Sequence, residues 1–101
     1  MPKLTVIATM RAQPGKEAAL QAQLLSLVAP TRTEAGCIEY DLHRLQDDPS
    51  TFVMIEHWTS REALDAHLGT PHLLALGAAL PDLLRSPLEL QLLDTVSTPR
   101  A

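Results

Sequence analysis

The spacing of apolar residues along this 101-residue chain changes from a period of two to a period near 3.6 and back again. A period of two is typical of a strand with one buried face, and a period near 3.6 is typical of an amphipathic helix. Strands are predicted at residues 4–11, 37–45 and 51–58 and after Pro87, and helices begin near Lys16, Ser60 and Pro71. The order β-α-β-β-α-(α)-β is that of an α+β, ferredoxin-like domain, in which an antiparallel sheet carries its helices on one face.

Local signals predict where the helices begin and end. From Lys16 the helical spacing continues for about four turns, which predicts one long helix with Pro30 as a point where it can kink. Gly36 supplies the left-handed residue that ends this segment. The last helix is predicted to begin with Thr70 as its cap and Pro71 as its first helical residue.

The corner between the third strand and the next helix concentrates polar, titratable residues in an otherwise apolar chain. Thr59 and Glu62 predict a capping box, in which each side chain satisfies a backbone N–H of the first helical turn. Trp58 comes directly before this cap, where its ring can pack on Ala63. The only tryptophan and three of the four histidines lie between residues 56 and 72. The sequence therefore places the chemistry of the protein at this corner.

Composition limits the class of protein. Residues 1–96 are long enough for a single domain with a real core, and residues 97–101 are predicted to be a flexible tail. A hydrophobic content of 46% and a net charge of −4 argue against disorder, and the scattered basic residues indicate neither nucleic acid nor a membrane surface as a partner. No apolar run is long enough to span a membrane, and the first residues do not resemble a secretory signal. The single cysteine, Cys37, fits a reducing cytoplasm.

One face of the predicted sheet has no helices to cover it. This uncovered face can be the one that carries Ile7, Val53, Ile55 and Leu93. Together these four residues would form an apolar patch. Patches of this kind usually mark an association surface. The sequence therefore predicts a homodimer that closes sheet on sheet, and the alternative is a monomer with a mixed sheet face.

Four groups of residues resemble a known family. They are residues 4–8 with 13–17, residues 30–32 with Glu34-Ala35-Gly36-Cys37, residues 40–44, and Glu56-His57-Trp58 with residues 60–64 and 67–68. Together they resemble the antibiotic biosynthesis monooxygenase domain, in its small quinol-monooxygenase-like branch. The resemblance covers nearly the whole chain.

The resemblance implies a dimeric α/β barrel with a pocket between sheet and helices in each subunit. It also implies oxidation of an electron-rich aromatic substrate, such as a quinol, an anthrone or a hydroxynaphthalene, with O₂ as co-substrate and without metal, flavin or haem. Such chemistry needs a dry pocket, a proton acceptor and a donor for the developing oxyanion. Haem-degrading relatives have an Asn on the first strand and an iron-ligating His in a later helix, and the matching positions here, Ala8 and Gly77, disfavour haem degradation.

His67 is the predicted catalytic residue. It lies at the edge of the apolar stripe of its helix, and an imidazole titrates near neutral pH, so it can act as a base. The alternative is a histidine that is hydrogen-bonded at the margin of the core. Neither His57 nor His72 makes a metal-binding spacing with His67, so no metal site is predicted.

Four further residues are predicted to bind the substrate. Trp58 and Glu56 share one face of the third strand, and either Trp58 lines the pocket or it is only a core aromatic. A buried Glu56 needs a partner or a raised pKa, and it can orient His67 or a substrate hydroxyl. Tyr40 is predicted to be a pocket wall, and His72 can reach the pocket mouth.

Three functions remain compatible with the sequence. The first is a cofactor-independent monooxygenase with His67 as the proton acceptor. The second is a non-catalytic dimeric module that binds a small apolar ligand or has no chemical role, whereas the monooxygenase would have a small aromatic molecule as its partner. The third is an isomerase or other proton-transfer enzyme that uses the same base without O₂.

Overall fold

The computed structural model describes residues 3–98. Its elements are β1 (Leu4–Arg11), α1 (Glu17–Leu25), α2 (Val28–Arg32), β2 (Cys37–Arg44), β3 (Thr51–Trp58), α3 (Arg61–Leu68), α4 (Pro71–Leu83) and β4 (Glu89–Leu93). The strands form one antiparallel sheet in the order β2-β3-β1-β4. The predicted ferredoxin-like fold and its four strands are therefore confirmed, and residues 99–101 of the predicted tail lie outside the described range.

The alternation of side chains along the two central strands separates a core face from an outer face. The core-facing residues of β1 and β3 are Val6, Ala8, Met10, Phe52, Met54, Glu56 and Trp58, all of them buried. The residues between them are mostly half-buried. Because successive side chains of a strand point to opposite faces, the helices must cover only the first set.

The first helical segment differs from its prediction. A single long helix with a kink at Pro30 was expected, but α1 ends at Leu25 and α2 begins at Val28. Pro30 has no N–H to donate to the carbonyl of Ser26, and its ring crowds that carbonyl. The break therefore falls one turn before the proline, at Ser26, and not at the proline itself.

The predicted capping box at Thr59 is also wrong. Ser60 is the N-cap of α3, and its hydroxyl accepts a hydrogen bond from the Ala63 N–H at 3.1 Å. Ser60 has the extended backbone that an N-cap needs, so the helix begins one residue later than predicted. The prediction for α4 is confirmed, because Thr70 caps it and Pro71 is its first residue.

Gly36 fixes how the start of α3 approaches the loop before β2. Its φ of +87° lies in the left-handed region that favours glycine. A Cβ at this position would lie 2.6 Å from the Ala63 Cβ and 2.7 Å from the Thr59 hydroxyl, which is too close for any side chain. This close approach brings the loop that contains Glu34 against α3.

The edge strand β4 differs from the rest of the sheet because all five of its residues are exposed. Leu90 and Leu92 pair with Ala8 and Val6 and so share their face, yet they are 43% and 39% exposed. The helices therefore cover β1 to β3 and leave this end of the layer open. Within residues 3–98, no helix is both long and apolar enough to cross a membrane.

Candidate active site

A cavity of about 70 Å³ lies between the core face of the sheet and helices α3 and α4. Most of its wall is apolar and includes Leu27, Met54, Leu64, Leu73, Leu76 and Leu90. Tyr40, Glu56 and His67 are the polar side chains in the wall. Three titratable groups therefore face one apolar space, which is the arrangement expected of a catalytic site.

His67 lies in the last turn of α3 and is 1% exposed. Its Nδ1 atom lies 2.9 Å from the Oε2 atom of Glu34. A neutral imidazole that donates from Nδ1 has its lone pair on Nε2, so this contact selects the tautomer in which Nε2 is the free base. Burial lowers the pKa of His67 below its usual 6.5, against the opposing effect of Glu34. His67 is therefore neutral at pH 7 and able to accept a proton.

Glu34 is the functional residue that the sequence interpretation missed. It follows α2 in the loop that Gly36 ends, and its Oε2 atom also lies 2.7 Å from Nε2 of His72. An acidic residue in a loop belongs to no periodic pattern, so its direction is not readable from the sequence. The available signal was its place in the segment Glu34-Ala35-Gly36-Cys37, two residues before a glycine that must pack against α3.

Glu56 and Trp58 lie on the same face of β3 and are hydrogen-bonded to each other. The indole Nε1–H donates to Oε1 of Glu56 at 2.9 Å, and both side chains are buried. Burial, the largest cause, raises the pKa of Glu56 to about 7, although the indole N–H opposes that shift. Glu56 therefore exchanges a proton near neutral pH, and its second oxygen remains available to a ligand.

Three rings surround the imidazole of His67. The centroid of the Trp58 ring lies 4.6 Å from that of His67, and the Tyr40 ring lies 5.4 Å from it in an edge-on arrangement. The His72 ring lies 6.1 Å away. Burial and the nearby Glu56 carboxyl raise the pKa of Tyr40 above its usual value, so its hydroxyl stays protonated and can donate. These contacts hold His67 in one orientation.

The predicted site residues lie in one region of the structure, but not all of them line the cavity. Tyr40, Glu56 and His67 line the cavity, whereas Trp58 packs behind His67 and His72 contacts Glu34 outside the wall. The carboxylate that orients His67 is that of Glu34, since Glu56 is hydrogen-bonded to Trp58. The substrate-binding roles of these residues stay predictions.

The two remaining histidines lie away from the cavity. His57 is half-buried on the outer face of the sheet, where its Nδ1 atom lies 3.3 Å from Glu39. His43 is exposed, and its Nδ1 atom lies 3.1 Å from the backbone carbonyl oxygen of Asp41. Both positions follow from the alternation of the strands.

The cavity is smaller than the 300–1,000 Å³ typical of small-molecule pockets. Leu88 and Leu90 form its wall toward β4 and are 41% and 43% exposed. A molecule larger than this cavity would have to displace side chains, and the exposed lining residues are Leu88, Leu90 and Leu68, the last of them 41% exposed.

The fold and the site together define a class of protein, a small ferredoxin-like domain with a mainly apolar cavity beside a histidine that a carboxylate orients. The model of the family described as antibiotic biosynthesis monooxygenase matches residues 3–79. The chain belongs to the antibiotic biosynthesis monooxygenase family.

Related proteins agree with this assignment. The chain is 39% identical over 90 residues to "Putative monooxygenase Rv0793" of Mycobacterium tuberculosis, which covers 89% of this chain and 88% of that protein. It is 36% identical over 87 residues to "Probable quinol monooxygenase YgiN" of Escherichia coli strain K12, covering 76% of this chain and 84% of that protein. The crystal structure of PA3566 from Pseudomonas aeruginosa is similar with a TM-score of 0.91 and 40% identity, over 96% of this chain and 97% of that one. The family and these names support a monooxygenase-like function.

Proposed function

We propose that the protein is a cofactor-independent monooxygenase that oxidises an electron-rich aromatic substrate, of the quinol, anthrone or hydroxynaphthalene type, with O₂. The observation that carries this proposal is the Glu34–His67 pair beside the apolar cavity, with 2.9 Å between carboxylate oxygen and Nδ1. A neutral imidazole in a site without bulk water is suited to remove a proton from a phenol or an activated methylene.

His67 is the proposed proton acceptor, and Glu34 is its positioning residue. As Nε2 takes the substrate proton, the imidazole becomes a cation, and the adjacent Glu34 carboxylate stabilises that charge. The same carboxylate keeps the ring in the productive tautomer before the reaction.

Tyr40 and Glu56 are the proposed substrate-binding groups. The protonated Tyr40 hydroxyl can donate to the oxyanion that develops on the substrate. Glu56, with a pKa of about 7, can accept from or donate to a substrate hydroxyl. Trp58 acts through its contacts with Glu56 and His67 and is a positioning residue.

The substrate itself supplies the electrons in this proposal. Deprotonation makes the aromatic system rich enough in electrons to reduce O₂ by one electron, and the two radicals then combine. For an anthrone, one oxygen atom ends in the new carbonyl group and the other leaves as water with the two methylene hydrogens. The protein must therefore provide only the base, the donors and the exclusion of water.

Oxygen uptake with reduced menadione and with an anthrone tests the proposal. The wild type is expected to consume O₂ above the autoxidation background and to form an oxygenated product. His67→Ala should reduce this rate by about 10²–10⁴-fold, the usual contribution of a general base. His43→Ala is the matched control and should keep the wild-type rate, because its ring lies at the exposed end of β2.

The dependence of the oxygen-uptake rate on pH is a second test of the assignment of His67 as the base. Because the pKa of His67 is lowered, protonation of its imidazole should reduce the rate only below pH 6.5. Any change of rate near pH 7 should come from Glu56, whose pKa is about 7, and should be absent in Glu56→Gln. No uptake above background with any such substrate would contradict the monooxygenase proposal. Uptake that His67→Ala leaves unchanged would contradict the assignment of the base alone. Binding of the aromatic compound without turnover would instead support the ligand-binding module.

We further propose that the protein works as a homodimer in the cytoplasm. Ile7 and Ile55 pair directly across β1 and β3 on the outer face, and Leu93 lies exposed on the same face. Val96 is 98% exposed, which extends the apolar surface beyond β4. A second copy of the chain is the proposed cover, and a single reduced cysteine suits a cytoplasmic protein.

A further inference from the structure

Glu34, His67 and His72 form a cluster of three side chains of types that can bind a metal ion, and of the three only His67 also lines the cavity. They come from three different segments: the loop before β2, the last turn of α3 and the first turn of α4. One donor atom from each residue lies within 4.8 Å of the other two. The sequence interpretation weighed histidine spacing along the chain and did not include Glu34, so it predicted no site here.

We propose that this cluster binds one divalent transition-metal ion of the kind that prefers imidazole ligands, with Zn²⁺ as the probe. Two imidazoles and one carboxylate are a ligand set that Zn²⁺ and Fe²⁺ accept, and three protein ligands leave a coordination position for water. This donor set is unsuited to Ca²⁺ or Mg²⁺, which require mainly oxygen ligands.

The distances fit this chemistry after a small adjustment. Metal–ligand bonds of about 2.0–2.2 Å place the ligand atoms of a tetrahedral ion about 3.3 Å apart. The Glu34 oxygen now lies 2.9 Å from the His67 nitrogen and 2.7 Å from the His72 nitrogen, so each pair must separate by about half an ångström. The two histidine nitrogens lie no more than 4.8 Å apart. Side-chain rotations of Glu34 and His72 can supply this adjustment.

A hydrogen-bonded helix-to-helix junction sets the backbone positions of the two histidines relative to each other. The Thr70 hydroxyl donates to the carbonyl of His67 at 2.7 Å and also accepts from the Leu73 N–H at the start of α4. One side chain therefore joins the end of α3 to the beginning of α4. A site whose ligands are already positioned loses less entropy when it binds an ion.

The cluster is reachable from solvent without passing through the cavity. The side chains of His72, Glu34 and His67 are 24%, 15% and 2% exposed, so exposure decreases toward the cavity. An ion can reach His72 and Glu34 first and His67 last. The proposed metal site and the cavity therefore share only the His67 ring.

Metal binding has a consequence for catalysis that rests on the proposed function. A metal on Nδ1 of His67 requires the ring proton to be on Nε2, the nitrogen assigned as the base. The metal-bound enzyme would then present a donor where the reaction needs an acceptor. The ion would act as an inhibitor, and removing it would restore activity.

Zn²⁺ titration by calorimetry, with untagged and chelator-stripped protein, tests binding without any substrate. One equivalent of Zn²⁺ should bind to the wild type and raise its Tm. His72→Ala and Glu34→Gln should each weaken binding about tenfold or more. Circular dichroism of both variants checks that they are folded. Co²⁺ should give visible absorption bands with the wild type that these variants lose.

His57→Ala is the matched control, because His57 also lies beside a glutamate, 3.3 Å from Glu39, but outside the three-residue cluster. It should bind Zn²⁺ like the wild type. The absence of stoichiometric Zn²⁺ binding, or binding that folded His72→Ala and Glu34→Gln retain, would overturn the proposal. Stoichiometric binding in a protein that shows no oxygenase activity would support the metal site and contradict only the proposed function.

Discussion

The two sides of the cavity differ in how well this single chain shields them from solvent. On the side of β2 and α3, the polar groups Glu34, Glu56 and His67 each have a hydrogen-bond partner and are largely shielded from solvent. On the side of β4, Leu88 and Leu90 make the wall and remain more than 40% exposed. The groups that contact His67 and Glu56 are therefore supplied by this chain alone, and the wall toward β4 is left open.

This difference separates two requirements of the site. Orienting a base needs fixed partners, because a buried polar group without one costs about 1–3 kcal/mol. Admitting a bulky substrate or a second subunit needs a wall that can move, and exposed leucines on an edge strand provide it. Changes on the polar side should therefore lower the stability of the chain, and changes on the β4 side should alter its contacts with other molecules.

The largest effect is expected at Trp58, which is fully buried and contacts both His67 and Glu56. Trp58→Ala should lower the free energy of unfolding by about 3–5 kcal/mol, because it leaves a cavity and removes the indole donor. Trp58→Phe keeps the ring packing and should cost less. Urea denaturation at pH 7 measures both, and a loss below about 1 kcal/mol for Trp58→Ala would show that the polar side does not depend on this ring.

Glu56 should make stability depend on pH. Its pKa is raised from 4.5 to about 7 in the folded protein, so between these pH values the folded state binds more protons at Glu56 than the unfolded chain does. The contribution of Glu56 to the free energy of unfolding is complete below pH 4.5. It decreases as the pH rises to about 7. A pKa change of this size corresponds to roughly 3 kcal/mol at most.

Glu56→Gln removes this dependence and keeps an acceptor for the Trp58 N–H. The stability of the variant relative to the wild type should therefore increase between pH 4.5 and pH 7, measured by urea denaturation at several pH values. Glu39→Gln, at an exposed position on β2, is the control and should show no such trend. A constant difference between Glu56→Gln and the wild type would mean that the pKa of Glu56 is the same in the folded protein as in the unfolded chain.

The sequence predicted the fold and its strands because the apolar period is strong in each strand. It also placed His67 and Glu56 inward, since both positions follow from helix and strand geometry. It misplaced the α1–α2 break and the Ser60 cap, because each depends on a backbone detail that several neighbouring residues satisfy equally well. Glu34 was missed for another reason, since the close packing of Gly36 on α3 brings its loop toward His67 and no periodic pattern shows this.

Glu34 offers a smaller change on the polar side. Glu34→Gln keeps the size of the side chain but removes the negative charge beside His67 and His72. The free energy of unfolding should fall by about 1–3 kcal/mol, because an amide satisfies these two rings less well than a carboxylate. Glu39→Gln again serves as the control, with a change near zero. Equal stability of the two variants would contradict the description of the Glu34 contacts as a completed polar network.

The smallest change in the stability of the single chain is expected on the β4 side. Leu93→Lys places a charge on an outer-face position of β4 that is already 38% exposed, so the free energy of unfolding of the monomer should change by only about 0.5 kcal/mol. The same charge should prevent a second copy from covering the outer face, and light scattering after size exclusion should show a dimer for the wild type and a monomer for the variant. Leu74→Lys, at a 63% exposed position on α4, is the matched control and should remain dimeric. If Leu93→Lys stays dimeric while retaining its fold, the outer face of β4 is not where two chains meet.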